Sequence, residues 1–136
     1  MKFFSTVICR DKLKIGSNSY WGTGTFINAY GGVEIGDNVL IAPYCFIHSA
    51  NHNFEDVTLP IAKQGHRKGK VIIESDCWIG AHSIILPNTR IGKGTVIGAG
   101  SVVTKNIPPY SVAMGNPCKV KYSRLKISDV LKKGRE

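Results

Sequence analysis

The sequence predicts an all-β fold, a solenoid of short strands that takes up most of the chain, and three observations predict it. Aliphatic residues recur at Ile73, Ile79, Ile85, Ile91, Ile97 and Val103, one in every six positions. Two places before each of the last five stands a small residue: Cys77, Ser83, Thr89, Thr95 and Ser101. Glycine follows the apolar position at Gly16, Gly22, Gly36, Gly80, Gly92 and Gly98, as expected where a corner needs positive φ or a close backbone approach. Neither the 3.6-residue period of a helix nor the two-residue period of a strand produces a beat of six. A repeated straight segment and corner does, sending every sixth side chain into one core, and this is the signature of a parallel β-helix of hexapeptide repeats.

Along the chain, residues 1–13 read as a first, imperfect coil or a short capping strand. Their apolar start, MKFFSTVIC, has the minimum length for a signal peptide but no small-residue cleavage site after it, so a cytoplasmic protein is expected. Residues 14–48 read as solenoid, with Ile15, Trp21 and Ile27 in one phase and Ile35, Ile41 and Ile47 in a second, displaced by two. Residues 49–70 are polar, charged and off the beat, a loop extruded from the coils. Loops of that length in a compact domain are usually functional or disordered, so chemistry is sought there first. Residues 71–106 return to the solenoid with the cleanest period. The stretch IPPYSVAMGNP at 107–117, with three prolines, breaks the beat as the chain leaves the coils. Within 123–133, Leu125, Val130 and Leu131 have helical spacing and suggest a short helix, so that 107–136 would cap the last rung and its unpaired edge. Flat faces carrying Val39, Phe46, Ile47 or Val96 cannot all be buried in one thin prism, so one face is expected to lie against another copy in a small cyclic oligomer.

A chain of 136 residues accommodates one domain, taken as 1–136. No apolar run approaches the roughly 20 residues of a membrane span, and no stable membrane insertion is expected. The formal net charge is +9, and ten of the 18 basic residues lie from Arg90 onward against only Asp129 and Glu136. That asymmetry suits an anionic ligand near the C-terminal end, whereas from Lys126 onward it reads as a solvated tail. Nucleic acid is not expected, because the basic residues are not interleaved with aromatics and no recognition signature is present. Cys9, Cys45, Cys77 and Cys118 are too widely spaced for a zinc knuckle or redox motif. Cys45 and Cys77 fill small-residue slots of the repeat and are expected to be buried, reduced thiols.

The segments IGDNVLIAP (35–43), SANH (49–52), VIIESDCWIGAHSIILP (71–87) and IGKGTVIGAGSVVTKNIPPYSVAMGNPCKV (91–120) closely resemble the hexapeptide-repeat O-acetyltransferases. These include galactoside, maltose, nodulation-factor and xenobiotic acetyltransferases and many polysaccharide-modifying relatives. The resemblance implies a left-handed parallel β-helix with three hexads per coil, assembled as a homotrimer with acetyl-CoA as co-substrate in a cleft between subunits. Handedness belongs to the resemblance alone, since the general crossover rule favours the right hand.

By the same resemblance the catalytic base is His52, fifteen residues beyond Asp37 of the IGDN motif. A neutral imidazole suits transfer of an acetyl group from a thioester to an alcohol, because it takes the hydroxyl proton as the oxygen attacks. Asn51 would orient His52 or contact the acceptor. Trp78 would lie against the pantetheine arm and shield the thioester with its flat ring, and the Ala81 N–H would donate to the developing negative oxygen. Ala99 and the stretch 101–105 would track the pantetheine, Thr104 and Lys105 the pyrophosphate, and Lys119, with Lys121 or Arg124, the 3′-phosphate. Pro117 would pack on the adenine. His48, His66 and His82 read as surface or hydrogen-bonded residues. The spacing of the four histidines does not reproduce a zinc-binding set, and no metal is expected.

The chain departs from the galactoside type at Gly22, Ala29 and Tyr30, and it shows no helical segment ahead of the coils. The acceptor pocket is therefore expected to be rebuilt around Tyr20, Tyr30 and Tyr44, with Tyr30 stacking on a sugar ring. A hydroxyl on a glycan, nucleotide sugar or lipid-linked saccharide is the expected acceptor class. Two alternatives stand beside this reading: transfer to an amino sugar, giving an amide, and a non-catalytic scaffold of the same shape.

Overall fold

The structure, a computed structural model, describes residues 4–134, without the side chains of 127–130. In chain order its strands are β1 (Thr6–Ile8), β2 (Leu13–Ile15), β3 (Tyr20–Trp21), β4 (Phe26–Asn28), β5 (Val33–Ile35), β6 (Leu40–Ile41), β7 (Phe46–His48), β8 (Ala50–His52), β9 (His66–Lys68), β10 (Val71–Ile73), β11 (Trp78–Ile79), β12 (Ile84–Ile85), β13 (Arg90–Ile91), β14 (Val96–Ile97), β15 (Val102–Val103), β16 (Ser111–Met114) and β17 (Lys119–Ser123), followed by helix α1 (Arg124–Lys133).

Three parallel sheets form the faces of a prism. The first holds β1-β4-β7-β12-β15, the second β2-β5-β10-β13, and the third β3-β6-β11-β14-β16, to which β17 adds an antiparallel end strand. The chain visits first, second and third face in turn, which is the expected parallel β-helix.

Each hexad follows one local rule. An Ile or Val points inward, two outward residues follow, the next adopts positive φ, and a small residue then turns inward before the next strand. Positive φ falls at Asn38, Tyr44, Asp76, His82, Asn88, Gly94, Gly100 and Tyr110, and Asn and Asp visit that region more readily than most residues. The glycines after the inward residue therefore do not supply the turn. They permit close packing: a Cβ on Gly80 would stand 2.5 Å from the Ala99 nitrogen.

The inward rows hold Ile27, Ile47, Ile85 and Val103 on the first face, Ile35, Ile73, Ile91 and Ile107 on the second, and Ile41, Ile79, Ile97 and Ala113 on the third, all buried. The small residues are buried too, and their polar atoms reach carbonyls either of the next coil, as in Ser83 Oγ to Gly98 O (3.2 Å) and Cys77 Sγ to Gly92 O (3.3 Å), or of their own, as in Thr89 Oγ1 to Leu86 O (2.7 Å). Burial pushes the Cys77 thiol up to about 11, so it remains a neutral packing residue. Ile15, in the first coil, is 43% exposed because no described rung closes the prism below it.

Three sequence expectations change. Val39 and Ile47 point into the prism and are fully buried, so of the flat-face residues only Phe46, 44% exposed, and the half-buried Val96 face outward. The chain does not leave the coils at Ile107: Ile107 bridges to Ile91 and β16 pairs with β14, which prolongs the second and third faces. The extruded loop is a β-hairpin at its root, with β8 antiparallel to β9. The terminal helix is present as α1; Val130 and residues 1–3, 135 and 136 lie outside what the structure describes in full. No helix among the described residues is long and apolar enough to cross a membrane.

Register shows where the beat slips. From third to first face the inward residues are always six apart (Trp21 to Ile27, Ile41 to Ile47, Ile79 to Ile85, Ile97 to Val103), and from second to third likewise. From first to second face the steps are 8 (Val7 to Ile15), 8 (Ile27 to Ile35), 26 (Ile47 to Ile73), 6 (Ile85 to Ile91) and 4 (Val103 to Ile107). Every irregularity of the solenoid lies on this one edge, here called the variable edge.

Candidate active site

The hairpin arm leaves the variable edge at Ser49, whose buried side chain is held on the preceding coil. Its N–H and Oγ donate to Asn28 O (3.0 and 2.7 Å), its Oγ accepts from Gly31 N (2.8 Å), and its carbonyl accepts from Gly69 N (2.7 Å). A Cβ on Gly31 would lie 2.0 Å from the Ser49 carbonyl, so only glycine permits this root. Beyond β8 the arm is shaped by polar side chains: Asn53 Nδ2 donates to Gln64 O (3.0 Å), and Gln64 Nε2 donates to Asp56 O (2.7 Å) and Leu59 O (3.0 Å).

The β8–β9 register sets Ala50 opposite Lys68, Asn51 opposite Arg67 and His52 opposite His66. The His52 and His66 rings stand 4.4 Å apart between centroids. His66 in turn meets the edge of the Tyr30 ring at 6.0 Å, so the corner after β4 and the arm share one depression of about 270 Å³ lined by Ile8, Asn28, Tyr30, Ala50 and His66. His52 and Tyr30 thus each stand against His66, although His52 does not line the depression itself. Asn51 does not join them, since alternation along β8 turns it, with Arg67, to the other face of the arm. Nor is the Tyr30 ring a bare platform, because Lys12 Nζ and Lys68 Nζ stand 5.1 and 4.9 Å from its centroid. His66 was not singled out from sequence; only the hairpin register, which depends on the arm's tip, pairs it with His52. His48 lies half-buried beside Phe26 and Phe46, its pKa lowered by burial, and His82 stacks on Tyr44 at a corner.

The residues expected on the donor side sit elsewhere. Trp78 stands 54% exposed on the outer surface of the third face, between Leu40 and Val96 in register. Ala81 and Ala99 occupy successive rungs of the edge between third and first faces, joined by Gly100 N to Ala81 O (2.8 Å). On the edge between second and third faces the equivalent N–H groups are capped by side chains: Ser17 N by Asp37 Oδ1 (2.7 Å), Asp37 N by Ser75 Oγ (3.0 Å) and Lys93 N by Glu74 Oε2 (2.7 Å). The N–H groups of Ala81 and Ala99 have no such partner among the described residues, and a Cβ on the neighbouring Gly100 would meet open space. This open edge is a ladder of free donors. Its upper end is the turn carrying Pro117 and leading into Lys119, fixed by Val102 N to Gly115 O (2.9 Å) and Cys118 N to Val102 O (2.8 Å).

Thr104 and Lys105 follow β15 and lie on the variable edge, on the side of the prism that carries the arm. Arg124 lies on the third edge, where its guanidinium donates to Gly94 O (2.6 Å) and pairs with Asp76 at 3.6 Å. It is engaged in holding the end of the solenoid and is not brought to the open edge. Within one chain, therefore, His52, Tyr30, Thr104 and Lys105 share the variable edge, while Ala81, Ala99, Pro117 and Lys119 share the open edge.

Residues 70–105 match the bacterial transferase hexapeptide repeat (six repeats). The chain is 44% identical over 112 residues to a probable acetyltransferase of Mycobacterium tuberculosis, covering 82% of this chain and 37% of that protein. Among solved structures it superposes on a maltose O-acetyltransferase of Clostridium difficile with a TM-score of 0.80 at 36% identity, covering 90% of this chain and 66% of that one. It also superposes on a galactoside acetyltransferase in complex with coenzyme A, with a TM-score of 0.82 at 35% identity, covering 92% and 62%. The chain spans about a third to a half of the length of the curated relatives it matches. The beat of six, the three parallel faces and the matched repeat agree: residues 70–105 carry the bacterial transferase hexapeptide repeat, and the chain shares the fold of the hexapeptide-repeat acetyltransferases on which it superposes.

Proposed function

We propose that this chain is an acetyl-CoA-dependent O-acetyltransferase acting on a hydroxyl of a sugar-type acceptor, with its sites completed between copies in a homotrimer. The carrying observation is the division of the site. The candidate base and the ladder of free N–H donors lie on different edges of one prism, and they meet when the variable edge of one copy packs against the open edge of the next. The outward Phe26 and Phe46 of the first face and the outward Tyr20, Leu40 and Trp78 of the third offer apolar surface for that packing.

The open edge fits coenzyme A. A pantetheine amide carbonyl can accept from the free Ala99 N–H, and the exposed corner at Gly100 leaves room beside it. Lys119, and Lys105 from the variable edge of the neighbouring copy, would meet its phosphates as point charges, and Pro117 its adenine. Acetyl-CoA, when bound, supplies an acetyl group activated as a thioester. His52 removes the acceptor's hydroxyl proton on an imidazole nitrogen and later returns it to the departing sulfur. The Ala81 N–H stabilises negative charge on the carbonyl oxygen as it develops. Trp78 keeps water from the reacting centre. Maltose and galactoside in the names of similar structures support a sugar-type acceptor.

His52→Ala should lower turnover by about 10²-fold or more, as expected for loss of a general base, and leave coenzyme A affinity unchanged. Steady-state thiol release with a saccharide panel measures the first and calorimetry the second. Near-normal turnover in the variant would sink the assignment.

A further inference from the structure

We infer that the acceptor carries an anionic group, a phosphate or carboxylate on the saccharide, which Lys12 and Lys68 receive beside the Tyr30 ring. The inference rests on the reading of the variable edge as the acceptor side.

Three separate elements converge there: the 3-10 turn Arg10–Lys12 of the first coil, the corner carrying Tyr30, and β9 of the arm. Lys12 Nζ also donates to the Tyr30 carbonyl at 3.4 Å, which fixes its stem over the corner. With each ammonium about 5 Å from one ring centroid, the two are no more than about 10 Å apart and repel each other. No carboxylate lies within ion-pair distance of either among the described residues. Glu34 is held between Lys14 and Lys70 on the second face, Glu55 pairs with Arg67 across the arm from His52, and Asp11 forms no pair with its neighbour Lys12. A tyrosine face attracts a cation only weakly at an exposed site, so the ring gathers the two charges without neutralising them. A bound anion turns their repulsion into attraction, while a neutral sugar stacking on Tyr30 must first displace an ammonium.

The anion of this site belongs to the acceptor and not to coenzyme A. On the first face β4, which precedes Tyr30, is three rungs below β15, which precedes Lys105. Three rungs span roughly 14 Å at the usual strand spacing. Pro117 and Lys119 also stand at the β15 end, so the candidate phosphate contacts of the donor gather at one end of the prism and Lys12 and Lys68 at the other.

The test is calorimetric titration of the full chain with galactose, galactose 1-phosphate and inorganic phosphate. Galactose 1-phosphate should bind at least about 10-fold more tightly than galactose, and the advantage should shrink as NaCl rises from about 50 to about 500 mM. Lys12→Gln/Lys68→Gln should abolish the advantage, and Lys12→Arg/Lys68→Arg should keep most of it. Equal or absent binding of the two sugars, or an undiminished advantage in the Gln variant, overturns the inference. So does loss of coenzyme A binding in the Gln variant with sugar phosphate binding intact, which would give the ammonium groups to the donor. If galactose 1-phosphate binds through the two lysines but no acetyl group is transferred to any acceptor, the transferase reading fails while the anion site stands.

Discussion

Single residues of this chain are dictated by two demands, filling a narrow prism and clearing a path for the backbone of the next rung. Ile79 meets the first: it is fully buried between Ile41 and Ile97, and Ile79→Ala should cost about 2–5 kcal/mol in denaturant unfolding. Gly31 meets the second, since any side chain there collides with the Ser49 carbonyl that starts the arm. The buried rows were legible residue by residue because the period is strict and the neighbours of an inward isoleucine are always other inward residues. The site was legible more unevenly. His52 stands at a fixed offset from a recognisable motif, and in the structure it is the last residue of β8. His66 carries no local signal, since its pairing with His52 is decided by how Asn53, Asp56 and Gln64 fold the arm. For Asn51 the determining fact is strand alternation, invisible while the segment reads as loop. Arg124 looked available for a phosphate because its anchors, Gly94 O and Asp76, are distant in sequence and near only through the coil.

At the scale of elements, the second face differs from the other two. Its outer surface is a ladder of charge, with Glu34 between Lys14 and Lys70 and Glu74 between Arg90 and the Lys93 N–H. The Arg90 guanidinium first, and then the Lys93 N–H, hold the Glu74 carboxyl below its usual 4.5. A carboxyl lowered by folding stabilises the native state fully above the unfolded value and ceases to do so as pH falls through the folded one. The protein should therefore lose stability as pH drops below about 4.5, and Glu74→Gln should flatten that slope in urea titrations taken between about pH 6 and pH 3. An unchanged slope in the variant would place the acid sensitivity elsewhere. The arm obeys different physics, being tied by side-chain hydrogen bonds over exposed apolar residues such as Phe54 and Val57. Its sequence therefore lacks the core periodicity that made the other elements readable.

For the whole molecule, the proposal that the site is completed between copies can be decided by a mixing experiment. His52→Ala empties the variable edge, and Ala99→Trp fills the open edge, where Ala99 is exposed. Each variant alone should be inactive. Co-expressed in equal amounts, they should regain about a quarter of wild-type activity, because one junction in four on random assembly joins an intact variable edge to an intact open edge. No recovery would argue that each chain works alone. The confinement of all length variation to one edge carries a last consequence, for modularity. Two of the three corners keep a constant pitch, so residues can be added or removed at the third without shifting a single strand pair. On the proposed reading, acceptor choice would be written on a replaceable margin and most of the donor wall on a fixed spine. Exchanging the arm between proteins of this architecture should transfer preference for one acceptor over another while leaving donor affinity as it was, and donor titration of such a chimera would show it.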